Sequence, residues 1–161
     1  MQISSTIRRA AQVNARGIAT HLGDREHTWE QFADRVARLA QGLVDIGVKP
    51  GDRVAMLALN SDRYIEYFFA VPWAGGVFVP INIRLAPPEI AHWLNDSGSS
   101  VLMIDDAFLP VLKRLEGKIG SVRRIVHVGD GPAPDGMTAF ESLVEGESEV
   151  AARDRGGDEL A

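Results

Sequence analysis

The side chains most able to do chemistry are few and scattered. Asp105 and Asp106 stand together after the apolar run Ser100 to Ile104. Paired carboxylates at a strand's carboxyl end can hold Mg²⁺. Here only one further strand follows the pair, so capping of the next helix is the better reading. The glycine-rich loop Gly129 to Gly136 also follows a strand, but it matches neither GxGxxG nor GxxxxGK[ST]. Its prolines, Pro132 and Pro134, remove backbone donors that a phosphate cradle would use. The four histidines, His21, His27, His92 and His127, lack metal-ligand spacing, and no GxSxG signature occurs. Trp73 and Trp93 fall inside helical patterns and read as packing residues. Arg84 differs in kind. It follows a buried-type strand and Asn82, and it precedes a helix opened by proline. A planar guanidinium there offers a donor fork suited to phosphate, and the alternative is an ion pair with Glu89 or a carbonyl cap.

The elements that must position these residues centre on Gly51 to Leu85. Arg53 to Leu59 reads as a strand, Ser61 to Trp73 as a helix with Tyr64, Ile65, Phe68, Phe69 and Trp73 apolar, and Val77 to Ile81 as a second strand. Gly75-Gly76 breaks the helix, and Pro72 should kink its last turn. Two apolar strands joined by a helix form a βαβ unit, whose strands run parallel. Ligands of such sheets bind beyond the carboxyl ends of the strands. Here those ends are Asn60-Ser61-Asp62 and Asn82 to Leu85, and only the second carries a candidate.

Upstream, Ser4 or Ser5 opens a helix to about Asn14 with Ile7, Ala10, Ala11 and Val13 apolar. A hairpin follows, Gly17 to Leu22 and Glu26 to Trp29. Thr28 and Gln31 have capping-box spacing, and Phe32, Val36, Leu39, Ala40, Leu43 and Ile46 form one helical stripe up to Gly47. Downstream come a helix from Pro87 to Ser97, a strand to Ile104, a short helix to Glu116, a strand Arg124 to Val128 and a short helix Met137 to Val144. Strands alternating with helices predict an α/β layered sheet with helices on both faces. Residues 1–145 form this lobe, and 146–161 read as an acidic linker.

A chain of 161 residues, 45% hydrophobic and 24% charged, suits one domain or one lobe. Of its net charge of −5, the stretch from Phe140 onward carries seven acids and two arginines, leaving the first 139 residues with fifteen of each sign. No basic face emerges, so nucleic acid is not an expected partner. No apolar run spans a membrane. Cysteine is absent, which excludes disulfides and thiolate chemistry within the chain. Its absence and an amino terminus without an apolar signal core point to the cytoplasm.

The run Thr28 to Ala55, TWEQFADRVARLAQGLVDIGVKPGDRVA, followed by NSDRYIEYFFA, AGGVFVPINIRL, EI and NDSG, resembles the amino-terminal part of the AMP-forming acyl-CoA synthetases. The resemblance covers nearly the whole chain, and it implies the partial N-terminal lobe of that fold. It also implies a parent ligase that activates a carboxylic acid of the fatty-acid type. The acid attacks ATP to give an acyl-adenylate, which then passes to CoA. ATP, Mg²⁺ and CoA are the implied cofactors of the full-length enzyme, with none expected on this fragment.

The family's lysine-ending phosphate loop, its adenine and ribose contacts, its hinge and its C-terminal lysine have no counterpart here. The chain is therefore expected to be an inactive amino-terminal fragment with no catalytic residue. The alternative is a free-standing, non-catalytic α/β binding module. Only Arg84, in the N-x-R-L element, carries over, as a CoA phosphate contact in the full-length enzyme. Apolar surface left bare by truncation is expected to drive homo-oligomer formation.

Overall fold

The structure, a computed structural model, describes residues 3–146. The chain begins with α1 (Ile3–Asn14) and an antiparallel hairpin of β1 (Ile18–Leu22) and β2 (Arg25–Thr28). It continues through α2 (Trp29–Asp45), β3 (Arg53–Leu57), α3 (Asp62–Trp73), β4 (Val77–Pro80), α4 (Pro87–Ser97) and β5 (Val101–Ile104). A 3₁₀ turn (Asp106–Phe108), α5 (Leu109–Leu115), β6 (Arg124–His127), β7 (Thr138–Ala139) and α6 (Phe140–Val144) complete it. The sequence places a helix over Met137–Val144, but its first residues instead add β7 to the sheet edge, and the helix starts at Phe140. The expected acidic linker lies, from Glu147 on, outside the described residues.

Five parallel strands form one sheet in the order β4-β3-β5-β6-β7. Strand side chains alternate between faces. Val54, Met56, Val101 and Met103 therefore join the core under α1, α2, α3 and α6, and Ala55, Leu57, Leu102 and Ile104 join the core under α4 and α5. Helices do cover both faces. The strand that comes first in the sheet sequence, β3, lies between β4 and β5, so the order reverses at the β3–β5 junction.

Local chemistry sets the element ends. At the start of α2, Gln31 N donates to Thr28 Oγ1 (3.3 Å) and Thr28 N donates to Gln31 Oε1 (2.9 Å), closing the capping box. Phe32, Val36, Leu39, Ala40 and Leu43 are all buried, and each large side chain contributes about 1.5–3 kcal/mol. Gly98 ends α4 at φ 61°, a left-handed conformation that favours glycine. The Arg53 guanidinium donates to Ser97 O (2.6 Å), Gly98 O (3.1 Å) and Gly51 O (3.0 Å), pinning that helix end to β3.

The β3–β4 ladder contains a side chain. Val77 N donates to Asp52 O (2.8 Å) and Ile81 N to Met56 O (2.9 Å). Between these rungs, Val79 N donates to the Tyr67 hydroxyl (2.8 Å), which in turn donates to Val54 O (2.8 Å). The phenol replaces a direct rung with a relay, and its burial pushes the hydroxyl pKa far above the ordinary value.

Three large apolar side chains stand outside the core. Ile65 is 44% exposed, because the buried stripe of α3 runs through Arg63, Glu66, Tyr67, Ala70 and Val71. Trp93 is 52% exposed on α4, whose core face is Ile90, Ala91 and Leu94. Val13 is 79% exposed near the end of α1, where Ile7 is the buried anchor. Pro72 falls one residue before the end of α3, so its missing N–H affects only the final turn.

Candidate functional site

The carboxyl edge of the sheet gathers the loops after β3, β4, β5 and β6. Three cavities adjoin there, of about 450, 300 and 290 Å³, and Asn60 lines all of them. Their rims carry Leu22, Leu59, Ile65 and Ile83, which are 40–50% exposed. The middle cavity lies over the β3–β5 junction, the place where doubly wound sheets bind ligands.

The two adjacent acids are both engaged within the protein. Asp105 accepts from Ala107 N (3.0 Å) and, across the junction, from Leu59 N (2.7 Å). Asp106 lies 2.7 Å from Nε2 of the buried His127. Among the described residues no group of three or more His, Cys, Asp or Glu side chains could hold a metal ion. His21 lies 3.3 Å from Glu26, His27 lies 3.3 Å from Thr20, and His92 is exposed on α4.

The glycine-rich loop presents acceptors to a protein cation. Arg63 Nη1 donates to Val128 O (2.7 Å), Gly129 O (2.9 Å) and Asp130 Oδ1 (3.0 Å). Gly129 leaves room for the Asp106–His127 contact, since a Cβ there would meet the Asp106 carboxylate and lie 2.6 Å from His127 Nε2 unless those side chains shifted.

Arg63 belongs to a charge network that the sequence does not announce. Its Nε donates to Glu141 (2.9 Å), and Arg35 donates to both Glu66 (2.6 Å) and Glu141 (3.0 Å). Arg25 pairs with Asp62 (2.9 Å) and with Asp130. Burial pushes the fully buried Glu66 above the ordinary carboxylate range, although Arg35 pulls the other way. Burial also opposes the Arg35 charge, but its hydrogen bonds to Glu66 and Glu141 carry it above its usual value. The Arg25 hydrogen bond holds Asp130 low. Glu141 also sits low, because Arg35 and Arg63 outweigh the effect of its burial. Partners 31 to 106 residues apart make up this network, so helical spacing could not reveal it.

Arg84 lies in the loop beyond β4, exposed, next to Asn82 and Ile83 of the third cavity. Its backbone N donates to Asn82 Oδ1 (2.9 Å), which shapes the turn. The alternative of an ion pair with Glu89 is not realised: Glu89 accepts from Ala86 N (2.7 Å) at the start of α4. Among the described residues its guanidinium has no ion pair. Among these residues, too, no helix is long and apolar enough to cross a membrane.

A family model described as AMP-binding enzyme matches residues 7–161. A long-chain-fatty-acid–CoA ligase of Thermus thermophilus is 38% identical over 130 residues, covering 80% of this chain and 24% of that protein. A 3-methylmercaptopropionyl-CoA ligase of Ruegeria pomeroyi is 34% identical over 161 residues, covering 97% of this chain and 30% of its own length. The crystal structure of the anthranilate CoA ligase AuaEII in complex with anthranoyl-AMP superposes with a TM-score of 0.84 at 28% identity, over 95% of this chain and 30% of that one. The chain thus spans 24–30% of the length of these proteins.

Proposed function

Because the chain belongs to the AMP-binding enzyme family, whose model matches residues 7–161, we propose that it is the amino-terminal part of an ATP-dependent acid–thiol ligase. In that reaction a carboxylate oxygen bonds to the α-phosphorus of ATP and pyrophosphate leaves. The CoA sulfur then bonds to the acyl carbon, and AMP departs with the electron pair of the broken bond. The match along residues 7–161, together with relatives named as CoA ligases, carries the reading.

Within it, this chain supplies a scaffold and one ligand contact. Arg84 is exposed beside the carboxyl-edge cavities and has no ion pair among the described residues, so its fork is open to a CoA phosphate. No other residue here is assigned to chemistry, and any Mg²⁺ is held elsewhere in the enzyme. Residues 1–145 form the lobe, and 146–161 lead on as an acidic linker. The apolar rim of Leu22, Leu59, Ile65 and Ile83 drives the 161-residue chain to self-associate, which sedimentation velocity would register as a concentration-dependent shift.

The test is ATP–pyrophosphate exchange with a panel of fatty and aromatic acids. The 161-residue chain alone should show none, and a chain extended through the family's full length should show exchange and make the CoA ester. Exchange by the short chain, or none by the extended chain with any acid, overturns the reading.

A further inference from the structure

The sheet's amino edge, away from the cavities just described, carries a cationic site of its own. A cavity of about 280 Å³ is lined by Ile46, Gly47, Ser100, Arg123 and Arg124. Arg25, Arg35, Arg38, Arg53 and Arg63 have their guanidiniums engaged by carboxylates and carbonyls. Arg123 and Arg124 are exposed, and among the described residues neither side chain has a hydrogen-bond or ion-pair partner. Their backbone N–H groups both donate to Ser100 O (2.8 and 3.3 Å), which fixes the pair at the cavity wall. The Ser100 hydroxyl donates its single proton in one long bond, to Arg53 O at 3.4 Å, a weak contact that a stronger acceptor could displace.

The sequence leading to the pair is basic as well. Lys113, Arg114, Lys118, Arg123 and Arg124 fall in one short stretch with Glu116 as its single acid. Asp45, next to the α2 turn that lines the cavity, accepts from Gln41 (2.7 Å) and turns back along its own helix. The α2 carboxyl end opposes an anion with roughly half an elementary charge, against two full charges on the arginines. A Cβ built on Gly47 meets nothing within 4 Å, so that wall stays open. The volume suits a single phosphate group better than a nucleotide.

We propose that the cavity between Gly47, Ser100, Arg123 and Arg124 binds a phosphate dianion, either inorganic phosphate or a small phosphomonoester. Two guanidinium forks provide charge-assisted hydrogen bonds to its oxygens, and the Ser100 hydroxyl adds a third by turning its proton from Arg53 O to the anion. The site is separate from Arg84 and does not depend on the ligase reading.

The test is a titration of the 161-residue chain at low ionic strength, followed by amide chemical shifts. Inorganic phosphate and glycerol 3-phosphate are the probes, with sodium chloride at matched ionic strength as control. Saturable shifts at Gly47, Ser100, Arg123 and Arg124 are expected with one or both phosphates and not with chloride. The probe that binds more tightly identifies the source of the dianion. Arg123→Gln with Arg124→Gln should weaken binding by at least about tenfold, the factor that accompanies one lost charge-assisted hydrogen bond. Each single variant, at an exposed position, should weaken it by less while keeping the native spectrum. Linear shifts without saturation, equal shifts with chloride, or unchanged affinity in the folded double variant overturn the site.

Discussion

Replacing Tyr67 with phenylalanine removes one oxygen atom from the centre of the sheet. In the native ladder that hydroxyl receives Val79 N–H and donates to Val54 O, both at 2.8 Å. Without it, the fully buried Val54 carbonyl loses its donor, a loss of about 1–3 kcal/mol for a group of that kind. Val79 N–H loses its acceptor as well and adds about 1 kcal/mol. The expected Tyr67→Phe destabilisation is therefore about 2 kcal/mol, which lowers Tm by roughly 4–8 °C for a chain of this size. Urea unfolding with unchanged m-value measures it. Tyr64→Phe is the matched control, because no ladder bond ends on that phenol and its ring also packs against Tyr67. Alkaline titration gives a second reading. The sequence holds two tyrosines, both raised by burial, so each contributes stability that is complete below pH ~10 and lost as pH rises and the unfolded phenols ionise. Tyr67→Phe should flatten that decline. A variant within about 0.5 kcal/mol of the parent, with the same alkaline slope, would refute the relay.

Arg35→Leu leaves Glu66 buried without its cation and should cost about 3–5 kcal/mol at neutral pH. Glu66 is raised already and rises further in the variant, so its contribution is lost as pH increases and regained on acidification. The deficit in urea midpoint should shrink between pH 7.5 and 5, and a deficit independent of pH contradicts the assignment. Gly42→Ala should destabilise by about 1–3 kcal/mol despite alanine's better helix propensity, because the new Cβ would strike the Leu143 backbone and lie 2.7 Å from Leu143 Cβ. A neutral or stabilising result in thermal melts would show that α6 shifts freely. In the extended enzyme, Arg84→Ala should raise KM for CoA more than KM for acid or ATP, and equal effects on all three would assign Arg84 to structure.

The sequence carries most of the fold because its signals are local. Thr28 and Gln31 mark a helix start within four residues, and the apolar runs around Val54 and Val77 mark two strands without reference to anything distant. The phase of α3 is a different case. Ile65 looks apolar and Arg63 and Glu66 look solvated until their partners are known, and those partners are Arg35, Val128 and Glu141. Only the tertiary structure makes a charged stripe the buried one. The carboxyl-edge location of Arg84 was legible from strand–loop order, while the pairing of Asp106 with His127 needed the register of β5 against β6. The β7 strand, two residues long, is too short to show a period.

The charge network also has an order in time. On a chain emerging from its amino end, Arg35 and Glu66 can meet as soon as α3 has formed. Arg63, on the same buried face, must wait for Val128, Gly129, Asp130 and Glu141. Until residues 128–130 are available, closing α2 and α3 over the sheet would bury a cation without any counter-charge, at a penalty of several kcal/mol, and its Nε stays unpaired until Glu141 follows. The Arg63 cluster thus acts as a completion check: the core under α1, α2, α3 and α6 seals only when α6 arrives, and chains cut before it should stay open and sensitive to protease.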